Sequence, residues 1–139
     1  MRLLFVVVLV LALSSPWQGA KGQSDLDQIR AVIEQQLTAL RRGRGAEAYR
    51  SASDGVRQEF PDVPSFMRMI ATAYAPLLKH RRATLLDLQA TPTGFAHGVR
   101  LVDAAGVTWN ALFTVERQSD GAWAISGCQL MRAPALRAP

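Results

Sequence analysis

The chain has 139 residues, with 16 Lys and Arg, 11 Asp and Glu and one cysteine. This length suits one domain with its own hydrophobic core and is too short for two. A single cysteine excludes an internal disulfide, so the fold must depend on its hydrophobic core.

Residues 1–22 have the layout of a cleavable signal peptide. An apolar run covers residues 3–13, and Ala20 and Gly22 occupy the minus-three and minus-one positions of a cut before Gln23. Because a helix needs about 20 apolar residues to cross a bilayer, the run is too short to favour the alternative, an uncleaved membrane anchor. We therefore expect the chain to be exported and cleaved.

Cleavage removes Arg2 and Lys21 and leaves a mature domain, residues 23–139, with 14 Lys and Arg against 11 Asp and Glu. This excess is too small to indicate a nucleic-acid partner. We expect a periplasmic or secreted single domain that keeps no stable membrane anchor after cleavage.

Helical periodicity predicts three helices in the first half of the mature chain. Ser24 begins a capping box ahead of a first helix over residues 25–42. A second helix is expected over residues 46–60, loosened at Gly55. A third is expected over residues 62–76, where a proline ends it because the preceding residue is pushed out of the α region.

From Arg82 onward the apolar period changes to two, which predicts an antiparallel sheet. The register that keeps the apolar sets on one face places His97 opposite Phe113 and Leu101 opposite Trp109. In the last strand the alternation slips by one residue at Ser126-Gly127, which predicts a β-bulge at Gly127, since glycine tolerates one. The preceding turn, residues 119–121, is expected to have three residues with its glycine at positive φ. Helices followed by strands indicate an α+β domain.

Several parts of the mature chain carry a resemblance to a known family. They are the first helix, Ala52-Ser53 with Phe60, Phe66 with Met69, Tyr74 with Pro76, and the ending Trp123-x-Ile125-x-Gly127-Cys128-x-Leu130. The chain resembles the exported bacterial domain of unknown function 4864 family, within the nuclear transport factor 2-like superfamily. The resemblance implies three N-terminal helices packed on the concave face of a curved antiparallel four-stranded sheet, a cone that can open as a pocket. It implies no activity.

The outer face of the predicted sheet is a candidate assembly surface. A homodimer through this face is common in proteins of the resembled fold. In this sequence Val102 and Leu112 are apolar there, while Arg100, Asn110 and Glu116 are polar. We expect a homodimer through the outer sheet face.

Motifs for bound cofactors and metals are missing from the sequence. There is no phosphate-binding glycine loop, no serine nucleophile elbow and no zinc-protease motif. The two histidines and the cysteine lie in separate segments without metal-ligand spacing. We expect no cofactor, no metal and no catalytic residue among them.

The inward faces of the predicted elements bring large side chains together as a candidate ligand pocket. Such a lining suits an apolar or aromatic small molecule held by shape. The candidate residues are Tyr49, Phe66, Ile70, Tyr74, His97, Trp109, Phe113 and Trp123. We expect a non-catalytic small-molecule-binding or assembly module; the alternative is an isomerase- or lyase-like enzyme, disfavoured because the inward strand faces carry no carboxylate.

Three polar or reactive residues have two interpretations each. His97 is either a pocket base or hydrogen-bond donor, or a structural histidine that is paired with a backbone carbonyl in the core or meets water near the sheet rim. The structural interpretation is favoured because buried polar groups are usually paired. His80 follows Lys79 in a basic run and is expected in solvent. Cys128 is expected to act as a small hydrophobe in the core face of its strand.

Overall fold

The computed structural model describes residues 24–134, so the predicted signal peptide and its cleavage site lie outside the described residues. Helices come first and strands afterwards. They are α1 Asp25–Arg41, α2 Gly45–Arg50, α3 Asp54–Glu59, α4 Val63–Ala73, α5 Ala75–Leu78, β1 His80–Thr91, β2 Gly94–Asp103, β3 Thr108–Arg117 and β4 Trp123–Arg132. The strands form one antiparallel sheet in the order β1-β2-β3-β4. The predicted α+β class is therefore confirmed.

The first helix forms as its sequence predicts. The Ser24 hydroxyl accepts a hydrogen bond from the Asp27 backbone N–H at 3.2 Å, which satisfies one of the free donors of the first turn. Ile29 and Ile33 are 0% exposed, so the apolar face of α1 packs into the core. Gly43, at a φ of +69°, lets the chain leave the helix in a left-handed conformation.

The predicted second helix is wrong as a single element, because residues 51–53 leave the helical path to pair with β4. The Ser53 N–H donates to the Ile125 carbonyl at 2.9 Å, and the Ile125 N–H donates to the Ser51 carbonyl at 2.7 Å. The Ser53 hydroxyl then accepts from the Val56 N–H at 3.3 Å and caps α3. Two short helices therefore replace one long helix.

The predicted end of the third helix is also wrong. Asp62 caps α4 by accepting from the Ser65 N–H at 2.8 Å, as expected, but the helix stops at Ala73. Tyr74 then leaves the helical region, with φ −135° and ψ 38°. Pro76 lies in the first turn of α5, where a missing N–H costs no helical hydrogen bond. The proline starts a helix here and does not end one.

The register of the central strands is confirmed. His97 lies opposite Phe113, and Leu101 lies opposite Trp109. On the face that meets the helices, Val99 and Phe113 are 0% exposed. Strand β1 starts at His80, two residues earlier than the change of period indicates.

The predicted bulge in β4 is confirmed. Thr114 pairs with Gly127 while Val115 pairs with Ile125, so Ser126 is the extra residue. The turn before β4 has three residues, since the Gln118 N–H donates to the Ala122 carbonyl, and Gly121 has a φ of +86°. The bulge keeps the side chains on both sides of it packed against the core: Ile125 is buried, and Trp123, Cys128 and Leu130 are partly buried.

The expected exposure of His80 is wrong. Its side chain is 5% exposed, and its Nδ1 lies 3.0 Å from the Leu77 carbonyl oxygen. The chain folds back after α5 and carries the first residue of β1 under the last helical turn. Burial lowers the pKa of His80 below its ordinary value of 6.5, and the nearby Arg41 charge lowers it further.

Acidification is expected to destabilise the domain through His80. A lowered pKa in the folded state means that the unfolded chain binds the proton more readily. The contribution of neutral His80 to stability is therefore complete above the ordinary pKa of 6.5 and is lost as the pH falls through the folded value. Urea denaturation at a series of pH values measures this, with His80→Gln as the matched variant. An equally steep acid loss in the variant would contradict the assignment to His80.

Candidate functional site

A pocket of about 400 Å³ lies between α3, α4 and β4. Its wall is mainly apolar, with a few polar side chains and a stretch of β4 backbone. The lining residues are Gln36, Ala52, Val56, Glu59, Phe60, Phe66, Met69, Ile70, Ala73, Tyr74, Ile125, Ser126, Gly127 and Cys128.

The pocket owes its walls to three local features of the chain. The break after α2 places α3 beside β4, so Val56 and Glu59 form one side. The amphipathic α4 contributes Phe66 and Ile70 from its buried face. The bulge in β4 forms the opposite wall. Because each feature depends on a different part of the sequence, the cavity is a product of the tertiary fold.

A hydrogen bond joins the two sides of the pocket. The Tyr74 hydroxyl donates to the Cys128 carbonyl oxygen at 2.9 Å. It links the residue that ends α4 to the strand just after its bulge. This bond uses the hydroxyl proton of Tyr74, so the oxygen of that side chain remains as an acceptor.

Gln36 is the buried polar side chain of the lining. It is 3% exposed, and its Nε2 donates to the Ala48 carbonyl oxygen at 3.2 Å. This bond sets the orientation of the amide, since a carbonyl can only accept. Among residues 24–134, no donor reaches the Gln36 Oε1 atom. Gln36 therefore brings to the pocket lining an amide oxygen that has no donor within the described residues.

The Tyr74 hydroxyl and the Cys128 thiol, which both line the pocket, are protonated and uncharged at neutral pH. Burial raises the pKa of Cys128 to about 12. Burial also raises the pKa of Tyr74, and the negative charges of ionised Cys128 and Glu59 add to the effect. The lining contains no Lys, Arg or His among the described residues, and its carboxylate, Glu59, is solvent-exposed. At neutral pH the interior of the pocket is uncharged.

The structure brings three of the predicted pocket residues to this cavity: Phe66, Ile70 and Tyr74. Tyr49 lies beside it, with its ring 5.3 Å from that of Phe66 and its hydroxyl donating to the Phe60 carbonyl at 2.6 Å.

The two predicted tryptophans lie elsewhere. Trp109 lines a separate shallow depression, and its Nε1 donates to Asp103 Oδ2 at 2.9 Å. The ring of Trp123 packs edge-on against Phe95, 5.5 Å away, under the Arg117 guanidinium at 4.9 Å.

His97 and Phe113 lie in the packed core. Both are 0% exposed. The Nδ1 of His97 lies 2.9 Å from the Gly98 carbonyl oxygen, and its Nε2 has no hydrogen-bond partner within the described part of the chain. In the neutral ring Nδ1 then carries the proton, because a carbonyl only accepts. This geometry fits the core interpretation of His97.

Among the described residues, no group of three His, Cys, Asp or Glu side chains is placed to hold a metal ion. In the same part of the chain, no helix is long and apolar enough to cross a membrane.

The sequence profile described as Domain of unknown function (DUF4864) matches residues 22–138. The chain belongs to this family. No curated protein and no solved structure matches it. The family match agrees with the resemblance seen in the sequence and leaves the function of this DUF4864 domain to be argued from its own pocket.

Sequence reasoning missed several residues of the DUF4864 pocket, of which Gln36 matters most. It lies on the apolar face of α1, three residues after Ile33 and four before Leu40. A polar side chain in that position is a detectable signal, because a buried polar group needs a partner. The part of β4 near Gly127 was predicted only in part. The slip in the alternation indicated the bulge, but nothing in the sequence indicated that a cavity lies beside it.

Proposed function

We propose that this DUF4864 domain is a non-catalytic binding module that takes a mostly apolar or aromatic small molecule into the pocket between α3, α4 and β4. The observation that carries the proposal is an apolar cavity of about 400 Å³ with a buried amide in its wall. Ligand sites are typically concave and apolar, with a few polar groups that set orientation, and they occupy about 300–1,000 Å³.

The chemistry of the lining favours binding over catalysis. An isomerase or lyase needs a base or a nucleophile placed at the reacting centre. Cys128, with a pKa raised to about 12, is a neutral thiol at physiological pH and a poor nucleophile. Tyr74 is also protonated, and its proton is already donated to a backbone carbonyl. These groups suit a wall that holds a ligand by shape.

The experiment that tests the proposal fills the pocket from its rim. Ala73 is exposed and lines the pocket, whereas Ala71 is exposed on the same helix and does not line it. N-phenyl-1-naphthylamine, a neutral dye that fluoresces in apolar surroundings, is titrated into the mature domain. We expect saturable binding that Ala73→Trp weakens at least about tenfold, because the indole occupies ligand volume; tenfold is about 1.4 kcal/mol.

Ala71→Trp is the matched control and is expected to leave dye binding as in the parent domain. Absence of saturable binding to the parent would contradict the proposal. Equal binding by both tryptophan variants would also contradict it, because the dye would then bind elsewhere.

We also propose that the domain is exported and has the nuclear transport factor 2-like cone. Support for export comes from the short apolar run that ends at Leu13 and from the small residues Ala20 and Gly22. Support for the cone comes from the order of helices followed by a four-stranded antiparallel sheet. Sequencing the N-terminus of periplasmic protein is expected to give Gln23; full-length chain in the membrane fraction would contradict export.

The outer sheet face supports a further proposal, a homodimer. Leu112 is 39% exposed and Met131 is 64% exposed; both lie on this face, and burying them against a second copy would remove apolar area from water. Sedimentation of the mature domain is expected to give a dimer that Leu112→Glu dissociates. A monomeric parent at high protein concentration would contradict it.

A further inference from the structure

We infer that the pocket selects uncharged ligands that carry a hydrogen-bond donor, such as an alkyl alcohol, over carboxylates and over ethers of the same length. This inference rests on the proposed binding function and names the class of ligand that the same pocket accepts. It follows from an amide oxygen without a protein partner, from the charge of the lining and from hydrogen bonds that the hydroxyl groups of the pocket wall already make.

The amide oxygen is the Oε1 atom of Gln36. Its amide is held in this orientation because one N–H of Nε2 donates to the Ala48 carbonyl; the second N–H of Nε2 can still donate to a ligand. A ligand that displaces water from Oε1 without donating to it leaves a buried acceptor unpaired, which costs about 1–3 kcal/mol. A ligand hydroxyl that donates to Oε1 avoids this cost, whereas an ether or a carboxylate, which only accepts, incurs it.

The charge of the lining disfavours an anion. No Lys, Arg or His side chain lies in this pocket within the described residues, and the charged group of the rim is the Glu59 carboxylate. A carboxylate that enters must give up its hydration without gaining a counter-charge. The carboxylate of such a ligand is also repelled by the negative charge of the Glu59 carboxylate at the rim.

The hydroxyl protons of the wall are already committed. The Tyr74 hydroxyl donates to the Cys128 carbonyl at 2.9 Å. The Ser126 hydroxyl donates to Thr114 Oγ1 at 3.1 Å. Neither is free to donate to a carboxylate. The side-chain oxygens that remain therefore favour ligands that donate.

The test compares three probes that each contain an unbranched chain of eight carbons: 1-octanol, octanoate and methyl octyl ether. Each is titrated against the mature domain loaded with N-phenyl-1-naphthylamine, and dye displacement is measured at neutral pH. We expect 1-octanol to displace the dye at concentrations at least about tenfold lower than the other two, a difference of about 1.4 kcal/mol. Octanoate or the ether displacing the dye as well as 1-octanol would overturn the inference.

Two variants assign the selectivity to named groups. Gln36→Leu removes the amide acceptor and is expected to lower the preference for 1-octanol over the ether. Glu59→Gln removes the rim charge and is expected to narrow the gap between 1-octanol and octanoate, whereas Asp87→Asn, an exposed neutralisation on β1, keeps the parent gap. An unchanged preference in folded Gln36→Leu would overturn the role of the amide.

The two proposals fail in different ways. If the dye does not bind the parent domain, the binding function itself is wrong. If the dye binds and is displaced equally by all three probes, the binding function stands and the selectivity is wrong. Because Gln36→Leu removes one of the two hydrogen bonds to the Ala48 carbonyl, leaving the one from the Ser51 N–H, its folding is checked by circular dichroism. If Gln36→Leu does not fold, two results decide the inference. One is the comparison of the three probes on the parent domain, and the other is the gap between 1-octanol and octanoate in the Glu59→Gln variant.

Discussion

Gly94→Ala is expected to lower the free energy of unfolding by about 3 kcal/mol, at the upper end of the range for overpacked sites. A Cβ atom built on Gly94 would lie 2.1 Å from the Val115 carbonyl oxygen and 3.1 Å from its carbonyl carbon. These atoms belong to the backbone of β3, which is held on both sides by neighbouring strands. The clash can be relieved only by moving strands apart, which breaks hydrogen bonds of the sheet.

Gly55→Ala is the matched control for this prediction. Gly55 lies inside α3, and the atom nearest to the methyl group that alanine would add, Ser53 Oγ, is 3.8 Å away. Alanine is favoured over glycine inside a helix by about 1 kcal/mol, so this variant is expected to be as stable as the parent or more stable. Urea denaturation of both variants measures the difference. Equal stabilities for the two alanine variants would show that β2 moves away from β3 at Gly94 without a measurable cost.

The sequence predicted most of the elements whose signals are local. The capping of α1 by Ser24 depends on residues within one turn, and the alternation in β2 and β3 depends on each strand alone. The positive φ of Gly121 was also predicted locally. Placing Trp123 on the core face of β4 requires a three-residue turn just before it, and that turn needs a glycine at its last position. In these cases the burial pattern and the turn chemistry point to the same structure.

The errors arose where a contact that helix and strand periodicity does not report overrides the pattern of the sequence. Periodicity continued through residues 51–53, but their backbone pairs with Ile125, which lies more than 70 positions further along the chain. His80 belongs to a basic run and carries a polar ring, yet the Leu77 carbonyl satisfies that ring under the end of α5. Neither contact changes the pattern of apolar and polar residues from which helices and strands were predicted.

The candidate site was predicted less completely than the fold for the same reason. Helix periodicity identified the inward faces of Phe66, Ile70 and Tyr74, and these side chains do line the pocket. Strand parity identified His97 and Phe113 as inward as well, but it cannot distinguish a packed core from the edge of a cavity. That distinction depends on where β4 bulges and where α3 lies, which are properties of the assembled fold.

Gly127→Ala is expected to destabilise the domain by about 1–3 kcal/mol through a contact at the bulge. A Cβ atom on Gly127 would lie 2.9 Å from Thr114 Oγ1. The φ of Gly127 is not positive, since Gly43, Gly106 and Gly121 are the glycines with positive φ in the described chain. Its backbone conformation is therefore open to alanine, and contact with Thr114 decides the cost.

Thr114 cannot move away easily. A β-branched side chain has few χ1 rotamers, and Thr114 Oγ1 also accepts the Ser126 hydroxyl at 3.1 Å. Shifting the threonine relieves the clash only by weakening that hydrogen bond, and shifting the bulge changes the β4 wall of the pocket. The effect of Gly127→Ala should therefore appear both in stability and in dye binding.

A double-mutant cycle with Thr114→Ala measures this contact directly. Deleting Oγ1 and its methyl group leaves space for the new Cβ, so Gly127→Ala should cost at least about 1 kcal/mol less in the Thr114→Ala background than in the parent. Thr114→Ser retains the oxygen but frees χ1, and an intermediate cost is expected. Urea denaturation of the parent, the single variants and the double variants provides the comparison. If Gly127→Ala costs the same in all three backgrounds, the glycine is required by the bulged backbone itself, and the contact with Thr114 does not set the stability of β4.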